Sequence, residues 1–202
     1  MKLYFSPGAC SLSPHIVLHE LGLVAEYEQV DTGSKAMKGG GDLRTVNPKG
    51  TVPTLQLDDG QVLTEGAVIV QYLADQVPEA GLAPAHGGLE RYRLQEWLNY
   101  IASELHPTFG QMFSPTATDA SRQRQRDLLA PKFDLLERAL EDKSFVMGES
   151  FTVADAYLGT ILLWSGPTHT DLSPWPALSG YHSRFIARPA VRSALREEGL
   201  IP

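Results

Sequence analysis

The feature that most constrains this chain is a change of hydrophobic period across residues 75–89. That segment carries Pro78, Gly81, Pro84, Gly87 and Gly88 and no apolar repeat, so it reads as a boundary between two folding units. Before it, apolar residues come in short runs set apart by turn signals. After it they recur at helical spacing. Strands alternating with helices, followed by helices alone, predict an α/β unit over residues 1–80 and an all-α unit over 88–202. A chain of 202 residues is long enough for both to bury a core without covalent staples.

Within the first unit, Lys2-Leu-Tyr-Phe5 is short, apolar and aromatic, as a buried strand is. His15 to Gly22 then places apolar residues at helical spacing and closes on glycine. Ala25 to Val30 alternates polar and apolar residues and predicts a second strand. Residues 31–42 are an irregular, glycine-bearing surface segment with room for a short helix. Asn47-Pro-Lys-Gly50 is a turn, and Thr51 to Leu57 reads as a strand with a proline near its start. Asp58-Asp-Gly60 is a hairpin signal leading into Gln61 to Thr64. Glu65 to Ala74 completes the unit as a helix with Ala67, Ile69, Val70 and Leu73 on its apolar side.

The second unit offers two apolar stripes, Leu94, Trp97, Leu98, Ile101, Leu105 and Leu128, Leu129, Phe133, Leu136, Leu140. Thr152 and Asp155 have the spacing of a capping box and open an apolar run through Trp164, which predicts a central buried helix. A last helix is expected over Tyr181 to Leu195, interrupted near Arg188-Pro189.

The single cysteine rules out an internal disulfide framework. Cys10 lies in Ser6-Pro-Gly-Ala-Cys-Ser-Leu-Ser-Pro14, between the first strand and the first helix. It reads either as a small buried hydrophobe or as a functional thiol, and Pro7 with Gly8 favours an exposed loop and the second reading. A thiol there faces unpaired N–H groups and the positive end of a helix dipole, which predicts a lowered pKa. His15 and His19 stand four residues apart on one helix as a possible metal pair, with no third ligand evident in the sequence.

Composition excludes several classes. The net charge of −7, from 24 acidic and 17 basic residues, disfavours nucleic acid and anionic membranes as partners. The basic cluster Arg122 to Arg126 alternates with glutamine and reads as a solvated helix face. A 43% hydrophobic and 20% charged composition is that of a globular protein. The apolar run at the start is too short for a signal-peptide core, so a cytoplasmic protein is expected.

The small α/β unit, with Cys10 at its first strand-to-helix turn and Val52-Pro53 opening a later strand, resembles the thioredoxin-like superfamily. Pro53, if cis, would leave the Val52 backbone open to pair with an extended peptide. With the helical half added, the whole chain resembles the glutathione transferases, the bacterial beta class most closely. The matching stretches are Tyr4 to Pro14, Asn47 to Thr54, Leu63 to Ile69, Asn99 to His106 and Phe151 to Tyr157.

That resemblance implies a thioredoxin-like, glutathione-binding domain over 1–80 and an all-helical domain over 88–202 that takes a hydrophobic electrophile. It implies glutathione as co-substrate with no metal, a homodimer, and conjugation of the glutathione thiol to electrophilic small molecules. Thiol-disulfide exchange through Cys10 is a variant of the same reading. By the same resemblance Cys10 meets the glutathione sulfur, Glu65 and Gly66 hold the γ-glutamyl end, and Val52 with Pro53 pairs with the cysteinyl part. Lys35 then lies near the glycyl carboxylate, and the second domain supplies His106 as a catalytic residue beside Cys10, with Asn99 and Ser103 binding glutathione. Asn99, Ser103 and His106 are expected to share one helical face. Taken singly, Glu65 also reads as a helix-start acid and His106 as a core histidine. The chain departs from the family's pattern at Gly66, where serine is usual, and at Pro107, where a basic residue is common. The alternative function is a transferase-like binding or regulatory module without turnover.

Overall fold

The computed structural model describes residues 1–202, which form two compact units. The first holds Met1–Ala83 together with Ala187–Pro202, and the second holds Pro84–Ile186.

The first unit is built on a four-stranded sheet in the order β2-β1-β3-β4. Strand β1 (Lys2–Phe5) is central and apolar, and Leu3, Tyr4 and Phe5 are buried. It is followed by helix α1 (Leu12–Leu21) and strand β2 (Glu26–Gln29). β1 and β2 are parallel, with Leu3 opposite Tyr27, so α1 is the crossover that such a pair requires. Gly22 ends α1 in the left-handed conformation, as the glycine after the last apolar residue predicts. A 3₁₀ turn at Leu43–Thr45 leads to β3 (Thr54–Gln56), and the Asp58-Asp-Gly60 turn joins it to β4 (Val62–Thr64). β3 runs antiparallel to both neighbours, with Leu55 facing Leu3 on one side and Leu63 on the other. Helix α2 (Gly66–Gln76) buries Ile69, Val70 and Leu73 and packs against α1.

The second unit is helical. It runs through α3 (Leu89–Tyr100), a π-helical turn at Ile101–Leu105, α4 (His106–Gln111), α5 (Asp119–Leu140), α6 (Val153–Leu162) and α7 (Pro176–Ala187). Every residue of α6 is buried, so it is the core helix that its composition predicts. The Thr152–Asp155 capping box is formed. The buried Asp155 carboxylate also accepts the Val146 N–H at 2.9 Å, which ties the preceding loop to the helix start. Gly159 is required by a close approach: a Cβ there would stand 2.2 Å from the Phe185 ring. Of the second expected stripe, Leu128 is exposed, because it falls outside the arc of α5 that Leu129, Phe133, Leu136 and Leu140 bury.

The chain's end differs from the sequence reading. In place of one interrupted helix over 181–195, α7 begins at Pro176 and α8 (Pro189–Glu197) is separate. Arg188 between them is extended, as the residue before a proline is biased to be. Residues 187–202 group with the first unit instead of the expected 88–202 domain. The physical reason is the packing of α8 on α1, helped by the bidentate Arg188–Glu20 pair at 2.8 and 2.9 Å.

Candidate functional site

The turn that carries Cys10 is pinned from several sides. Ser11 Oγ accepts the Ser6 N–H at 3.1 Å, Ser13 Oγ donates to the Cys10 carbonyl at 2.8 Å, and the Ala9 N–H bonds the Ser6 carbonyl at 3.0 Å. Gly8 takes a φ of 72° and donates its N–H to the Glu198 carboxylate at 2.8 Å. The half-buried Cys10 thiol is thereby aimed at the Val52 carbonyl, to which it donates at 3.3 Å.

The expected lowering of the Cys10 pKa is not what the structure gives. Burial pushes the thiol up to about 12. The N–H groups of Cys10 and Ser11 act in the opposite direction and lose to desolvation, while the Glu65 carboxylate adds to the rise. α1 begins at Leu12, and its first N–H groups, those of Leu12 and Ser13, are taken by the Ala9 and Cys10 carbonyls at 3.0 and 3.2 Å.

Val52 and Pro53 are joined by a cis peptide bond. The loop before them is held by buried Asn47, whose amide donates to the Thr51 carbonyl at 3.1 Å and to Thr54 Oγ1 at 2.9 Å. Gly66, first residue of α2, adjoins the same place: a Cβ built on it would lie 3.6 Å from Pro53 Cγ and 3.9 Å from Ser13 Oγ. Cys10, Val52, Pro53 and Gly66 are therefore brought together. Glu65 caps the same helix with φ at 70°, a conformation that costs a non-glycine residue about 1–3 kcal/mol and is held only where the surroundings impose it. Its exposed carboxylate pairs with Lys49 Nζ at 2.6 Å.

Lys35 also has a positive φ, 69°, and its ammonium donates to the Thr32 carbonyl. Its side chain runs beside Gly50, where an added Cβ would stand 3.7 Å from Lys35 Cδ. Lys35 thus borders the loop that leads to Val52.

In the second unit, Asn99 and Ser103 are exposed and His106 is half-buried. Ile101–Leu105, which spans Ser103, is a π-helical turn and winds less per residue than an α-helix. His106 Nδ1 is 2.7 Å from the Tyr157 hydroxyl, and its ring meets Trp164 edge-on with centroids 5.0 Å apart. Burial holds its pKa below the usual histidine range. Pro107 comes just after the π turn, inside a run that is helical without a break from Leu89 to Gln111.

Two contributors escape sequence reasoning. Lys49 reaches Glu65 because the hairpin sets Thr54 opposite Thr64, which carries the 47–50 turn towards residue 65. Tyr157 is placed on His106 by the buried α6. The hairpin signal is the trace that points to the first, and the stretch Phe151 to Tyr157 is the trace that points to the second.

The glutathione S-transferase N-terminal domain family matches residues 8–76, and the C-terminal domain family matches 100–189. Glutathione S-transferase GstA of Escherichia coli O157:H7 is 43% identical over 200 residues, covering 99% of this chain and all of that protein. The ternary complex of BphK, a bacterial glutathione transferase, superimposes with a TM-score of 0.96 at 53% identity, covering 99% of this chain and 100% of that one. The beta-class enzyme of Sphingomonas chungbukensis gives 0.95 at 43% identity, with both chains fully covered. The chain belongs to the glutathione S-transferase family, and its structural neighbours include the bacterial beta class.

Proposed function

We propose that this protein conjugates the thiol of glutathione to electrophilic small molecules, and that Cys10 serves as a hydrogen-bond donor to the reacting sulfur. The observation that carries this reading is the hydrogen bond from the Cys10 thiol to the Val52 carbonyl, and burial, which raises the thiol's pKa, favours the donor form. An extended tripeptide that pairs with the Val52 main chain takes over that carbonyl and leaves the Cys10 S–H facing the peptide's own sulfur. Glu65 receives the γ-glutamyl ammonium, the Gly66 N–H its carboxylate, and Lys35 the glycyl carboxylate. Asn99, Ser103 and His106 belong to the helical domain that takes the hydrophobic electrophile.

In the reaction, glutathione loses its thiol proton to solvent and the resulting thiolate accepts the Cys10 S–H bond. The thiolate attacks the electrophilic carbon, an S–C bond forms, and the leaving group departs with its electron pair. A neutral donor suits this role. It is a poor nucleophile for thiol-disulfide exchange, since a thiol with a pKa of about 12 is ionised to roughly one part in 10⁵ at pH 7.

Family resemblance supports a homodimer, to be checked by light scattering against the 22.1 kDa chain mass. No helix of the structure is long and apolar enough to cross a membrane. A cytoplasmic location rests on the sequence expectation.

The test is turnover of a model aryl halide with glutathione. Cys10→Ala should lose about tenfold in kcat/KM, the worth of one hydrogen bond to a charged group, and Cys10→Ser should recover most of it. An unchanged Cys10→Ala enzyme would discard the donor role. Rapid, stoichiometric glutathionylation of Cys10 by oxidised glutathione at pH 7 would favour the exchange reading. Absence of turnover with retained glutathione binding would favour the non-catalytic module.

A further inference from the structure

The geometry points to a site for one zinc-class divalent cation, held by His15 Nε2, His19 Nε2 and the Glu197 carboxylate, with Glu198 orienting His15 from behind. His15 and His19 lie on one face of α1, and α8 supplies the third group that the sequence alone left unassigned. Glu197 Oε2 is 2.9 Å from His15 Nε2 and 3.1 Å from His19 Nε2, and the three candidate ligand atoms all lie within 4.8 Å of one another. Ligands about 2.0–2.1 Å from a tetrahedral zinc are spaced about 3.3 Å apart, which the two carboxylate–imidazole distances already approach, and side-chain rotation would bring the two imidazole nitrogens to the same spacing.

Two further features separate this cluster from a chance meeting of surface charges. His15 Nδ1 is bonded to Glu198 Oε1 at 3.0 Å, and both side chains are essentially excluded from solvent, at 1% and 0% exposure. A buried carboxylate on the far nitrogen of a histidine fixes the ring and directs Nε2 outward, the usual arrangement behind a metal-bound imidazole. Glu198 is itself fixed by the Gly8 N–H at 2.8 Å. The rings are also immobilised by packing: Tyr27 lies on His15 with centroids 4.3 Å apart, and His19 stacks on it at 5.2 Å.

The site has a way in. His19 is 25% and Glu197 49% exposed, and Glu197 with Phe5 and Tyr27 lines an open recess of about 340 Å³. Water can complete the coordination on that side. Two imidazoles and one carboxylate suit zinc and its first-row neighbours, whereas calcium and magnesium prefer all-oxygen sites. These groups take no part in the thiol chemistry proposed above. A bound ion would clamp α8 to α1, two elements already packed together.

Zinc binding to the full, metal-stripped protein is measured by competition with a chromophoric chelator, in buffer free of glutathione and other thiols, which would take zinc themselves. One zinc per chain is expected. His19→Ala and Glu197→Gln, both at partly exposed positions where the fold tolerates change, should each weaken it about tenfold or more. Cys10→Ser should bind as the parent does. Cobalt in place of zinc should give visible absorption of a four-coordinate site, lost in the same two variants. No zinc retained by the parent, equal binding by both variants, or loss of zinc in Cys10→Ser would each overturn the assignment.

Discussion

Two helix starts in the first unit face the same problem and solve it differently. Cys10 precedes α1 and Glu65 precedes α2, so each presents an ionisable side chain at the start of a helix, where the dipole is positive. Glu65 is exposed, stands at the cap itself and has Lys49 at 2.6 Å. Cys10 is half-buried, lies two residues before the helix and keeps its proton, which rests on the Val52 carbonyl. The difference teaches that a helix terminus does not by itself set ionisation. Desolvation decides at Cys10, and solvent with a counter-ion surrounds Glu65.

The comparison breaks most visibly at Glu65. If the exposed carboxylate holds the ligand's ammonium, Glu65→Gln should raise KM for glutathione about 10–100-fold, the 1.5–3 kcal/mol of a hydrogen bond to a charged group, with kcat much less affected. Steady-state kinetics with glutathione as the varied substrate checks this. A KM within twofold of the parent would reduce Glu65 to a helix-start acid.

Much of this arrangement is legible in the sequence, and the exceptions share a cause. The strand, turn and helix signals around Lys2–Phe5, Asp58–Gly60 and Thr152–Asp155 are local, so pattern alone places them. The ionisation of Cys10 depends on what covers the sulfur, which position beside a helix does not disclose. The π turn at Ile101–Leu105 interrupts a stripe, Leu94 to Leu105, that fits α-helical spacing well enough to conceal it. Glu197 stands far along the chain from His15 and His19, and only the packing of α8 on α1 makes them neighbours. That packing also moves residues 187–202 into the first unit, because an amphipathic helix does not declare which surface will cover it.

A smaller effect should appear in stability. Glu65→Gly removes the penalty of a positive φ at a side-chain-bearing residue, offset by the entropy glycine loses on folding, for a net gain of about 0.5–1 kcal/mol. For a chain of this size Tm should rise by about 2 °C in thermal unfolding while glutathione binding weakens. A fall in Tm would mean that the Lys49 pair and not the backbone conformation dominates at this turn. The smallest expected effect is at Gly66→Ser. The position has a negative φ and space for a Cβ against Pro53 and Ser13, so the fold should accept serine. The added hydroxyl should lower the Kd for glutathione about threefold, within the 0.5–1.5 kcal/mol of a neutral hydrogen bond, as calorimetry would read.

The central claim is that the fold keeps the Cys10 proton in place, so that this residue meets the glutathione sulfur as a donor. The most direct measurement is the rate of Cys10 alkylation by iodoacetamide in the ligand-free protein as pH is raised. With the thiol at about 12, the rate should climb about tenfold per pH unit from pH 7 to 10 without levelling, well above the ordinary cysteine midpoint near 8.5. A plateau with a midpoint below 7 would show a thiolate at Cys10 and contradict the account.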